Sequence, residues 1–166
     1  CGQCYLVQIE EYASHAAIFN SDYAYFSSYS SSWLAHAKTY VESMVERFGF
    51  NSDAQIVELA SNDGYLLQYF KELDIPVLGI EPTANTARVA EEKGIKTVVD
   101  FFGTRLANQL VDEGYKADLL LGNNVLAHVP DINDFVQGMK MLLNKRGVIT
   151  MEFPHLLQLI QLNQFD

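Results

Sequence analysis

The sequence predicts an α/β fold, a doubly wound and mostly parallel Rossmann-like sheet, on three observations. Short apolar runs and helix-period segments alternate strictly after residue 50. The connections between them are short. The first run, 55–60, ends in a small-residue turn, Ala60-Ser61-Asn62-Asp63-Gly64, and the next ends on Glu81. Strict β-α alternation demands crossover helices, and right-handed crossovers leave few topologies. Ligands then belong outside the carboxyl ends of the strands.

The elements follow in chain order. Residues 1 to 32 show little helical period, many aromatics (Tyr12, Phe19, Tyr23, Tyr25, Phe26, Tyr29) and a serine run over 27–32 broken only by Tyr29. A serine run alone reads as a linker, but interleaved rings point to an ordered lid. Over 33–48 the residues Trp33, Leu34, Ala37, Val41, Met44, Val45 and Phe48 recur at three and four, an amphipathic helix closed by Gly49. Strands are predicted at 55–60, 76–81, 96–100, 117–122 and 147–153. Helices are predicted at 65–73, 84–93, 103–113, 132–143 and about 155–163. The domain division expected is 1–32, then 33–166.

With 166 residues the chain can bury one sizeable core. The net charge of −10 and the absence of a Lys/Arg cluster argue against nucleic acid as a partner. No apolar run reaches membrane-spanning length, and no signal peptide is evident, so a cytoplasmic monomer without a membrane partner is expected. Cys1 and Cys4 form one C-x-x-C pair. Structural zinc takes four ligands. The pair therefore reads as half of a zinc site, as a redox pair, or as two ordinary thiols.

The turn and the strand ends carry the chemistry. In a dinucleotide fingerprint three glycines let a pyrophosphate approach the backbone. Here Ala60 and Asn62 stand at the first two glycine positions and only Gly64 remains, followed by Tyr65 and Leu66. A nucleoside without phosphates fits that turn, which favours S-adenosylmethionine over NAD. Glu81, before Pro82, is expected to accept hydrogen bonds from both ribose hydroxyls. Glu58 either orders the turn or approaches the methionine end. Asp100 with Phe101 and Phe102 suits an adenine, the acid accepting from its amino group and a ring packing on its face, although the two rings can equally be packing residues. Asn123 and Asn124 end the fourth strand, where buried amides need partners, and one of them is expected on the methionine portion. His128 reads as a general base or as a structural loop residue. Glu152 and His155 share the edge of the fifth strand and either face a substrate or do not.

Five segments, 23–30, 58–67, 79–85, 122–131 and 152–155, together resemble the nucleotide-sugar C-methyltransferases. The resemblance runs over essentially the whole chain. It implies a class I methyltransferase fold, S-adenosylmethionine as cofactor, and a nucleotide-linked 4-keto-deoxysugar as substrate. The ketone acidifies the C3 proton, a base removes it, and the resulting enolate carbon takes the methyl group. The family also carries an N-terminal four-cysteine zinc domain and a C-terminal α/β domain. On that pattern Cys1 and Cys4 are two of four zinc ligands, a pair too few to hold the metal alone, and the chain looks truncated at both ends. Tyr25, or Tyr23, is the candidate for orienting the sugar. The family's base is implied to lie in a Tyr-His-Glu-His-Phe segment absent here, and neither His128 nor His155 matches it. Weak catalysis by this chain alone is the corresponding expectation.

Overall fold

The computed structural model describes residues 2–3, 12–20 and 23–164. Cys1 and Cys4 lie outside the described residues, so the zinc expectation is left where the sequence put it. Five strands, β1 (Ile56–Leu59), β2 (Val77–Ile80), β3 (Thr97–Val98), β4 (Ala117–Asn123) and β5 (Leu143–Glu152), form one sheet in the order β3-β2-β1-β4-β5, every pair parallel. The chain builds outward from β1 to β3, then crosses back to lay β4 on the other side of β1. That reversal opens a crevice between the carboxyl ends of β1 and β4.

Helices cover both faces. They are α1 (His15–Ile18), α2 (Ser31–Phe48), α3 (Leu67–Glu72), α4 (Ala84–Glu92), α5 (Thr104–Asp112), α6 (Ile132–Leu142) and α7 (Leu156–Gln161). No described helix is long and apolar enough to cross a membrane. Helix α2 starts where Ser30 Oγ accepts the Trp33 amide at 3.2 Å, and ends at Gly49 in the left-handed region (φ 69°). Its buried stripe, Ala37, Val41 and Met44, packs with Leu67 and Phe70 of α3 against Ile56, Leu119 and Leu121. On the opposite face Leu106 and Leu110 of α5, with Phe135, Met139 and Leu142 of α6, cover Val57, Leu59, Leu78 and Leu120. Strand alternation divides β1 between these two cores. Ile56 belongs to the α2–α3 side and Val57 and Leu59 to the other. The same parity sends Glu58 to the α2–α3 side.

Two element boundaries depart from expectation. The third strand is only Thr97–Val98, so Asp100 sits in the loop beyond it rather than at its end. The fifth begins at Leu143, directly after α6, and not at 147. Leu143 pairs with Ala117 and Val148 with Leu119, so residues 144–147 bulge from the ladder. Asn144-Lys145-Arg146-Gly147 reads as a turn in sequence, and it is a bulge because Gly147 lets the strand close on Ala117, whose carbonyl would stand 2.6 Å from any Cβ there.

Candidate functional site

A cavity of about 780 Å³ occupies the crevice. Its floor is the turn after β1. Ala60, Asn62 and Gly64 all take positive φ, at 56°, 50° and 74°. Three positions whose backbone favours glycine are thus filled with a single glycine. Asn tolerates this conformation, whereas Ala adopts it at a cost of roughly 1–2 kcal/mol. The turn is held from below by Ser61 N donating to the Ile80 carbonyl and from the side by Asn62 N donating to Glu81 Oε2 at 2.9 Å.

Glu81 is 4 % exposed and lines the cavity. Its Oε1 accepts from the Thr83 amide at 2.9 Å and from the Thr83 hydroxyl. A carboxylate has room for about four hydrogen bonds, and three are already made within the protein. One further hydroxyl is accommodated directly, while a second must compete with Thr83.

The other expected residues divide into those at the cavity wall and those behind it. Tyr23, Tyr25, Tyr65, Pro82, Asp100, Phe101, Phe102, Asn123, Asn124 and His128 line it with Ala60, Asn62 and Glu81. Glu58, Gly64 and Leu66 stand behind that wall. Leu66 is wholly buried in the α2–α3 core. Gly64 faces Ile95 and Ala90. Glu58 is removed by the strand parity described above.

Asp100 already has partners. Its Oδ1 accepts the Phe101 amide at 2.8 Å and its Oδ2 pairs with Arg105 Nη2 at 2.6 Å. Phe102 packs edge-on to Phe135, and Phe101 edge-on to His15. Asn123 Nδ2 donates to the Tyr65 hydroxyl at 3.1 Å, and Trp33 stacks on the Tyr65 ring. Asn124 is exposed at φ 54°, its amide donating to the Glu152 carbonyl. His128 is exposed on a short turn of 3₁₀ helix, Leu126–His128. Burial, then the charge of Glu81, raises the pKa of Tyr23 above its ordinary value, so its hydroxyl stays a donor at neutral pH. Neither Glu152 nor His155 lines the cavity. Glu152 pairs with His36 at 2.8 Å, and His155 caps α7 through Nδ1.

The sequence reading missed His15, Trp33, Arg105, Asp131 and Asp134, all of which line the cavity. Asp131 carried a signal, since it is the N-cap of α6 and accepts the Asn133 and Asp134 amides. His15 stands in a segment without periodicity and gave none.

Glu58 has a distinct consequence. It is fully buried, and neither of its oxygens meets hydrogen-bond geometry with any group among the described residues. Burial raises its pKa well above the ordinary 4.5; the Tyr65 hydroxyl opposes the shift, and the charges of Glu81 and Asp63 add to it. The folded chain therefore keeps a proton that the unfolded chain loses, and stability falls as pH rises from 4.5 toward the folded pKa. Glu58→Gln is expected to match the wild type near pH 4.5 and to gain on it above, with a slope of up to about 1.4 kcal/mol per pH unit. Urea unfolding across that range reads the gap. Parallel curves for the two proteins would show that Glu58 ionises normally.

Residues 57–149 match the family described as a methyltransferase domain. Among curated relatives, the C-methyltransferase NovU of Streptomyces niveus is 31% identical over 166 residues, which is 100% of this chain and 39% of the relative. A ubiquinone biosynthesis O-methyltransferase of Bartonella quintana is 26% identical over 96 residues, 57% of this chain and 39% of that protein. The chain thus spans about two fifths of the length of these relatives. Among solved structures, an S-adenosylmethionine-dependent methyltransferase from Anabaena variabilis superposes with a TM-score of 0.59 at 18% identity, over 80% of this chain and 60% of that one. The plantazolicin methyltransferase BpumL, solved with S-adenosylhomocysteine, superposes with a TM-score of 0.53 at 15% identity, over 69% and 44% of the two chains. At those identities the structures speak for the fold.

Proposed function

Because this chain belongs to the methyltransferase-domain family, we propose that its cavity binds S-adenosylmethionine and serves C-methylation, at C3, of a nucleotide-linked 4-keto-deoxysugar. The observation that carries the cofactor is the turn itself. Three left-handed positions, with Glu81 bonded to the middle one, put a buried carboxylate beside a floor able to pass close under a nucleoside. At the cavity wall the buried His15 Nδ1 has no hydrogen-bond partner among the described residues, as suits a site built around a polar ligand.

In this reading Glu81 accepts from the ribose, Phe101 and Phe102 flank the base with Asp100 at its edge, and Asn123 or Asn124 contacts the methionine portion. Bound there, the sulfonium cofactor supplies an already activated methyl group. The chain's own share is to orient the acceptor and exclude water. Tyr23 and Tyr25 form the acceptor-side wall. Support for a C-methyltransferase over an O-methyltransferase comes from extent. The similarity to NovU runs through the aromatic segment, whereas the similarity to the O-methyltransferases covers 57% of the chain.

Isothermal titration with S-adenosylhomocysteine, and with NAD as the competing ligand class, tests the cofactor. Binding of the former alone is expected; binding of NAD alone would overturn the reading. A second titration, with a dTDP-sugar on the cofactor-loaded protein, separates the keto-sugar from an O- or N-methyl acceptor.

A further inference from the structure

The middle residue of the turn is an asparagine, and its side chain is engaged away from Glu81. Asn62 Oδ1 accepts the Ser27 amide at 2.9 Å, and Nδ2 donates to the Tyr25 carbonyl at 3.1 Å. One N–H and one C=O as partners fix the amide's orientation without ambiguity. Asn62 is 8 % exposed, so both bonds are made largely out of water. Neighbouring groups extend the attachment. Asp63 Oδ2 accepts the Ser28 amide, Lys93 Nζ bridges Ser28 Oγ and the Asp63 carbonyl, and Asn85 Nδ2 donates to the Tyr23 carbonyl at 2.6 Å. The main chain of residues 23–28 is thereby clipped to the turn and to α4 at four residues.

Glycine would take the left-handed conformation at position 62 with less strain. It could make neither bond to the strap. The side chain is what asparagine adds here, and both of its bonds go to the segment that carries Tyr23 and Tyr25.

We propose that Asn62 is a positioning residue for the acceptor side. It joins the nucleoside acid Glu81, through its own amide, to the strap that holds Tyr25, through its side chain. The inference rests on the proposed reading of the cavity. A ligand hydroxyl on Glu81 restricts the orientation of the carboxylate that holds the Asn62 amide, so occupation of the nucleoside end steadies the segment that carries Tyr23 and Tyr25. Cofactor and acceptor sites are then coupled through one side chain.

Hydrogen exchange at the Ser27 amide tests this in the wild type, Asn62→Gly and Asn62→Asp, each with and without saturating S-adenosylhomocysteine. In the unliganded Gly variant, Ser27 exchange is expected to rise about tenfold, as a lost buried hydrogen bond implies. Asp keeps an acceptor for Ser27 but sets an oxygen against the Tyr25 carbonyl, so a smaller rise is expected. It also tolerates left-handed φ, and stands in should the Gly variant fold poorly. S-adenosylhomocysteine is expected to slow Ser27 exchange in the wild type and to lose that effect in the Gly variant, which a purely structural role would not produce. Ser27 exchange within twofold of wild type in the Gly variant, or equal protection by the ligand in both, overturns the proposal. If the wild type binds no S-adenosylhomocysteine the cavity reading falls, while the unliganded comparison still decides whether Asn62 sets the strap.

Discussion

Glu81→Ala is expected to weaken S-adenosylhomocysteine binding by roughly 1–3 kcal/mol, the cost of leaving a ribose hydroxyl unpaired. The structure adds a second loss. Glu81 accepts from the Asn62 amide, the Thr83 amide and the Thr83 hydroxyl, all at a residue 4 % exposed. Removing the carboxylate strands those donors, so folding stability should fall by about 3 kcal/mol as well. Titration calorimetry reads the first effect and urea unfolding the second. A variant with unchanged ligand affinity would sink the ribose assignment, whatever happens to its stability. Glu81→Gln keeps the volume but sets an amide group against one of the donors. It should therefore lose less stability than the alanine variant.

The second large effect is expected at Gly64. Its φ is +74°, and a Cβ there would stand 2.5 Å from Ile95 Cδ1 and 3.2 Å from Ala90 Cβ. Gly64→Ala thus combines left-handed strain with overpacking in a core where Ile95 is 1 % exposed. A loss of about 2–4 kcal/mol is expected. Gly49 supplies the control, with φ +69° and nothing within 4 Å of the added carbon. Gly49→Ala should cost only the conformational part, about 1–2 kcal/mol. Urea unfolding of the two variants separates strain from collision. Equal losses would mean that Ile95 moves aside freely.

Much of this architecture is legible in the chain because parallel strands are buried on both faces and read as apolar runs. The strand-to-turn junction at 55–64 and the acid at 81 came through for that reason. What the sequence leaves unread is finer than a run of hydropathy. Glu58 looks like a ligand-edge acid from its distance to the turn. Its one-residue offset from Leu59 instead turns it into the α2–α3 core. The missing side chain of Gly64 makes room for Ile95, a contact that no local pattern announces. The start of β5 was hidden because a bulge and a turn share the residues Asn144-Lys145-Arg146-Gly147. The wall residues His15 and Arg105 come from a segment without periodicity and from an exposed helix position, where neither period nor composition marks a function. Asn62 shows the limit most clearly. Its glycine-like backbone follows from the turn pattern, but its side-chain partners lie more than thirty residues upstream.

The clipping of residues 23–28 also bears on the order in which the molecule assembles. Ser27 reaches 35 residues to Asn62, Tyr25 reaches 37, and Tyr23 reaches 62 to Asn85. Each closes a long loop, and the entropy of closure is offset only once the far partner is already fixed. Asn62 has no defined direction until β1 and β2 have paired and Glu81 has gripped its amide. The strap precedes the sheet in the chain but can be completed only after it. The placement of Tyr23 and Tyr25 is therefore a late-forming feature whose geometry is inherited from the finished turn after β1.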